Sequence, residues 1–212
     1  MLDRTIPFYN TILRLDSYTQ TKDNACALPD NIVIRGYRPG DEEGWAALHT
    51  ETGDFASIME AKQYFLNTYA HDIVYLSHRA MFALEQKTNR IIGTCTAWRD
   101  HAKPSIRGQT PFVSSLHWLA VTESMQHRGI GRALCQAVVN IFAQDADLGF
   151  PVYIHTQPWS YRAILLYTSL GFRLQKTDTF AAYENQYGDA VRTLQTLLSP
   201  EQFQFLWENS QP

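Results

Sequence analysis

The stretch that most constrains this chain is an apolar strand running through a short turn into a glycine-opened amphipathic helix. Leu116–Val121 read as strand, Thr122–Met125 as turn, and Gln126-His127-Arg128-Gly129-Ile130-Gly131 leads into a helix over about Gly129 to Ala143. Leu134, Val138, Ile141 and Phe142 fall on one stripe of that helix, as expected of a face packed against a sheet. Glycines at 129 and 131 let successive backbone N–H groups point inward, with no Cβ in the way, at the positive end of the helix. Such a place binds phosphate oxygens. Because the binding groups are main-chain amides, a chain of formal charge −3 can still hold a polyanion.

The rest of the sequence fits the same architecture. At 212 residues, 45% of them hydrophobic, the chain is long enough for one domain with a proper core. Strands are expected over Asn31–Tyr37, Ala80–Glu85, Ile91–Trp98, Ser114–Val121, Pro151–Thr156, Phe172–Lys176 and Thr179–Glu184. Helices are expected over Glu42–His49, Ser57–Tyr69 with Ser57 as N-cap, and Ser160–Leu170 with Gly171 ending it. This order predicts an α/β mixed sheet with helices on both faces. Residues 1–30 lack a sustained period and read as an N-terminal extension packed on the domain, with a core domain over 31–184 and a helical tail over 185–212. Residues 99–112, with Pro104, Gly108 and Pro111, read as a long loop.

Composition narrows the function classes. With 18 Lys plus Arg against 21 Asp plus Glu, there is no basic footprint for nucleic acid. No apolar run is long enough to span a bilayer, and MLDRTIPFYN lacks the pattern of a signal peptide, so a cytoplasmic home is expected. Cys26, Cys95 and Cys135 are scattered, odd in number and free of a Cys-x-x-Cys pair, and the histidines show no metal-ligand spacing. Reduced thiols and no metal are expected. The glycine turn lacks the third glycine of a dinucleotide fingerprint and the Lys-Ser/Thr of a P-loop.

Two segments together resemble the GNAT superfamily of N-acetyltransferases. Gln126 to Gly131 match its Gln/Arg-x-x-Gly-x-Gly/Ala motif, and Ser160 to Phe172 are similar to its Asn-x-x-Ala-x-x-x-Tyr-x-x-x-Gly-Phe motif, with Ala163, Tyr167, Gly171 and Phe172 in place. The likeness covers about Asn31 to Glu184 and implies a central, mostly antiparallel sheet of about seven strands. It implies acetyl-CoA as co-substrate and acetyl transfer to a primary amine, on a small molecule or peptide, by direct attack in a ternary complex. Carried over residue by residue, Leu119 and Val121 would bond the pantetheine arm through their main chain. Gln126, His127, Arg128, Gly129, Ile130, Gly131, Arg132 and Ala133 would wrap the pyrophosphate. Tyr167 would protonate or hydrogen-bond the departing thiolate, its alternative being a core aromatic beside Phe172. Ser160 stands where the family usually has Asn; it can still cap the helix and contact the pantetheine arm, with shorter reach.

An alkylammonium is mostly protonated at neutral pH, so acetylating it requires a base or relay. Period-2 alternation puts Ser115, His117, Leu119 and Val121 on one face, and an imidazole suits the task. Arylalkylamine acetyltransferases of the superfamily look similar in their Leu-His-x-Leu-Ala-Val strand. Ser115 stands where its histone acetyltransferases have a glutamate base, so that solution is absent. The alternative for His117 is packing with a backbone bond; Glu123 is a rival base or else a solvated turn residue, and His155 could join a relay. His49, His71, His78, His101 and His127 read as surface or loop residues. Glu51 and Asp54 read as solvated loop acids or, alternatively, as attractors of a cationic amine, with Phe55, Tyr64 and Trp98 as apolar walls. Two other readings stay open: an acyl-CoA sensor without catalysis, and a homodimer seam built from Leu194, Leu197, Leu198, Phe203, Phe205 and Trp207.

Overall fold

The computed structural model describes residues 3–18, 28–102 and 112–212. Cys26, Pro104, Gly108 and Pro111 lie outside them. In chain order the elements are β1 (Thr11–Leu15), β2 (Ile32–Gly36), α1 (Asp41–Glu51), α2 (Ile58–Tyr69), α3 (Ile73–Arg79), β3 (Ala80–Glu85), β4 (Ile91–His101), β5 (Phe112–Val121), α4 (Ile130–Gln144), β6 (Val152–Thr156), α5 (Tyr161–Ser169), β7 (Arg173–Gln175), α6 (Tyr187–Leu197), α7 (Pro200–Glu208) and β8 (Ser210–Gln211). The eight-stranded sheet has the order β2-β3-β4-β5-β6-β1-β7-β8 and is mostly antiparallel. Among the described residues no helix is long and apolar enough to cross a membrane.

Two compact units divide the chain. The first is built on Gln20–Ala97 and His117–Ile141. Its helix α2 starts where Ser57 accepts the Glu60 N–H, the cap expected from sequence. The Trp45, Phe65 and Tyr69 rings of α1 and α2 are buried together, with centroids 5.2 Å apart for Trp45–Phe65 and for Phe65–Tyr69. The Ala80–Glu85 and Ile91–Trp98 hairpin forms as expected, β4 continuing three residues further to His101.

The second unit is built on Asp3–Thr19, Trp98–Leu116 and Phe142–Pro212. The segment expected to be only a packed extension supplies β1, an interior strand paired antiparallel with β6 (Thr11↔Thr156) and with β7 (Leu13↔Leu174). Thr11, Ile12, Leu13 and Leu15 are all buried, so both faces are covered and no polar alternation advertises the strand. The second closing strand, expected over Thr179–Glu184, does not form. There Ala181 has φ 50 and the Thr179 hydroxyl donates to the Tyr183 carbonyl, closing a turn that packs Phe180 on Ile12 and Tyr153. The sheet gains β8 instead, parallel to β7 through Leu174↔Ser210. The tail is two helices, broken where Ser199 and Gln202 form a capping box and Pro200 opens α7. Leu194 and Leu198 are buried, whereas Phe205 and Trp207 are exposed.

Candidate active site

Around the helix entrance the chain takes two left-handed residues, His127 (φ 60) and Gly129 (φ 81), before Ile130 begins α4. Glycine adopts that conformation freely, whereas histidine does so at a cost, so position 129 is the natural glycine of the pair. The Gln126 side chain donates from Nε2 to the Val121 carbonyl at 3.0 Å, tying the end of β5 to the start of the turn. No acid lies in the first turn of α4, and Arg128 and Arg132 are both at least partly exposed. Backbone donors, a helix dipole and two cations thus share one entrance, with Ile130 buried beneath it.

Upstream, β5 departs from regular alternation. Trp118 has φ 53, which for a bulky aromatic residue costs about 1–3 kcal/mol and persists only where its surroundings hold it. Its indole N–H donates to Tyr64 Oη at 3.3 Å, and its ring packs against Phe55 (5.2 Å) and Tyr64 (5.1 Å). His117, the preceding residue, has Nδ1 3.2 Å from the Tyr69 hydroxyl. Neighbouring side chains therefore both reach α2, as they do at a bulge and not in a flat strand. The expectation that Ser115, His117, Leu119 and Val121 share one face fails at this point. Leu119 and Val121 remain half-buried on β5. The parallel ladder between β5 and β6 registers Ser114↔Val152 and Ser115↔Tyr153, while β5 runs on to Val121 and β6 to Thr156.

His49 is the largest correction. Expected at the surface, it is fully buried, with Nδ1 2.7 Å from Asp54 Oδ2 and Nε2 3.1 Å from Thr94 Oγ1. The Thr94 hydroxyl donates in turn to the Trp118 carbonyl at 3.0 Å. Asp54 also accepts from the Thr52 hydroxyl, so this acid, read from sequence as a solvated loop residue or an attractor of an amine, is an internal partner. Glu51 accepts from the Thr122 hydroxyl and from Arg90 Nη2. Phe55 and Tyr64 do stand together, with centroids 5.3 Å apart, and Glu123, itself exposed, opens a single-turn helix that buries Met125. Nothing local in sequence announces His49 or Thr94; the pair is separated by 45 residues.

In the second unit, Tyr167 is 5% exposed on α5, its ring 6.0 Å from Phe172, and Gly171 takes φ 94 as expected of the residue closing that helix. Ser160 precedes α5 without capping it; its hydroxyl instead accepts from Gln157 Nε2 at 3.0 Å. Trp98 is buried. His155 is held by Asn10 Oδ1 at 2.8 Å and stacks on Tyr183 with centroids 3.8 Å apart, which accounts for it structurally. In the first unit, burial pushes the Cys95 thiol well above its ordinary range, with neighbouring Cys135 adding to the effect, the reverse of what a nucleophile needs. Among the described residues no group of three His, Cys, Asp or Glu is arranged to hold a metal ion.

Comparison with known proteins agrees with this geometry. The D-amino-acid N-acetyltransferase HPA3 of Saccharomyces cerevisiae is 28% identical over 149 residues, 69% of this chain and 88% of its own length. A mycothiol acetyltransferase of an Arthrobacter species is 28% identical over 167 residues, 75% of this chain; the match spans 48% of that protein, about half its length. The solved aminoglycoside N-acetyltransferase AAC(6')-Iy in complex with CoA shares the fold with a TM-score of 0.52 at 18% identity, over 73% of this chain and 95% of its own. Residues 45–172, more than half of the chain, match the acetyltransferase (GNAT) family, and the chain belongs to that family.

Proposed function

We propose that this protein transfers the acetyl group of acetyl-CoA to a primary amine by direct attack in a ternary complex. The observation that carries the reading is the turn at His127 and Gly129, which leads main-chain donors into the positive end of a 15-residue helix. Arg128 and Arg132 fit beside a diphosphate, and a Cβ with a charged side chain at 129 would fill the same space. The relatives' amine acceptors, named as D-amino acids for one of them, support an amine as the nucleophile. Among the described residues Cys95 and Cys135 are both buried, and burial raises the Cys95 thiol well above its ordinary range, which argues against a covalent detour through either.

In this scheme the amine nitrogen forms a bond to the thioester carbonyl carbon, and the carbon–sulfur bond breaks. The proton shed by the amine passes to His117, directly or through water, with the ring positioned by the 3.2 Å contact of its Nδ1 with the Tyr69 hydroxyl. Leu119 and Val121 align the pantetheine arm by main-chain bonds, and the Leu119 N–H faces the oxygen on which charge develops. Tyr167 returns a proton to the leaving thiolate. The test is a screen of amino acids, polyamines, arylalkylamines and peptides, reading released CoA with a thiol reagent. Release with at least one amine is expected, and it should fall at least tenfold in Tyr167→Phe and lose its alkaline rise in His117→Ala. No release with any class would overturn the assignment.

A further inference from the structure

A chain of hydrogen bonds centred on buried His49 and Thr94 runs from Asp54 to the backbone of the bulge at Trp118, and its hydrogens can be counted. An ionised carboxylate only accepts, so His49 Nδ1 supplies the hydrogen of the 2.7 Å link to Asp54. A carbonyl only accepts, so the single hydroxyl hydrogen of Thr94 belongs to the 3.0 Å bond to Trp118. The remaining 3.1 Å link between Nε2 and Thr94 Oγ1 then needs its hydrogen from Nε2. All three links are made at once when both ring nitrogens of His49 carry hydrogen. His49 has no solvent exposure, and Trp45, 4.2 Å away, and Trp118, 5.2 Å away, flank it, so the arrangement is fixed by packing as well as by hydrogen bonds.

The peptide group between Trp118 and Leu119 is a rigid plane, with its carbonyl and its N–H on opposite sides. Holding the carbonyl toward Thr94 on β4 therefore turns the Leu119 N–H away from β4, toward the other edge of β5. We propose that His49, Asp54 and Thr94 are positioning residues that lock this one peptide plane and so aim the Leu119 N–H at the thioester oxygen. This rests on the acetyl-transfer reading above. A neutral His49 would have to take the Thr94 hydrogen for Nε2, and the bulge carbonyl would lose its donor.

The test combines spectra of the protein alone with steady-state kinetics. Nitrogen-15 spectra of histidine-labelled wild type at neutral pH should show hydrogen on both His49 nitrogens, and the Leu119 amide resonance should move in Thr94→Val. Because an incorrectly aimed oxyanion donor costs less than a deleted one, Thr94→Val should lower kcat about tenfold with KM for acetyl-CoA within about twofold. Thr94→Ser, which restores the hydroxyl, should recover kcat. A neutral His49 tautomer, or an unchanged kcat in folded Thr94→Val, would overturn the proposal. The wild-type spectrum needs no variant and decides the hydrogen count even if Thr94→Val does not fold. Failure of wild type to bind acetyl-CoA would instead remove the functional reading, with the spectra still deciding the hydrogen count.

Discussion

The helix entrance at Gln126–Gly131 begins eight residues after the bulge at Trp118 on the same unit, yet the two are built from different materials. The entrance uses main chain: two left-handed residues, a helix start and a side chain reaching only from Gln126 back to Val121. The bulge uses side chains brought from α1, α2, β4 and the segment between α1 and α2, namely Trp45, His49, Phe55, Tyr64 and Thr94. A site made of backbone needs only the residues that permit the backbone shape. A site made of side chains needs the whole fold first.

The comparison can be broken most forcefully at the bulge. Trp45 is 1% exposed and touches the rings of His49, Phe65 and Trp118, so Trp45→Ala should cost about 3–5 kcal/mol in urea unfolding. Its indole N–H has no hydrogen-bond partner among the described residues, so Trp45→Phe should recover most of that loss. Equal losses for the two variants would show that the cluster depends on more than ring packing. At the entrance the expectation is reversed. Gly129→Glu places a Cβ at φ 81 and a negative charge beside the phosphate position, and should raise the Kd for acetyl-CoA about 100-fold, roughly 2.8 kcal/mol, while costing only about 1–2 kcal/mol of stability. Undiminished binding in calorimetry would remove the entrance from the site. The smallest effect is expected at Ser57, where loss of the cap in Ser57→Ala should cost about 1 kcal/mol of stability. Because α2 carries Tyr64 and Tyr69, a kcat loss larger than that stability change would show that the helix start sets the geometry of the bulge.

What was legible in sequence follows the same division. Gln126–Gly131, Ser57 and Gly171 were readable because a cap or a left-handed turn is decided by the residue that occupies it. His49 was misread because its partners, Asp54 and Thr94, lie beyond the helix end and on another strand. Trp118 was hidden for an opposite reason: aromatic residues avoid φ above zero, so nothing in Leu-His-Trp-Leu predicts a bulge. Thr179–Glu184 carries a strand-like pattern, but a hydroxyl-to-carbonyl bond and a left-handed Ala181 fold it into a turn. β1 escaped because burial of both its faces removes the alternation by which short strands are found.

The interior position of β1 bears on the order in which this chain can be made and folded. Thr11 pairs with Thr156 and Leu13 with Leu174, so this strand must wait for partners synthesised some 145 to 161 residues later. The segments of the first unit end at Ile141, so they have all been synthesised before the strands that flank β1. Thr11–Leu15, apolar on both sides, spends that interval without its neighbours, and it is there that a ribosome-bound chaperone would find its grip.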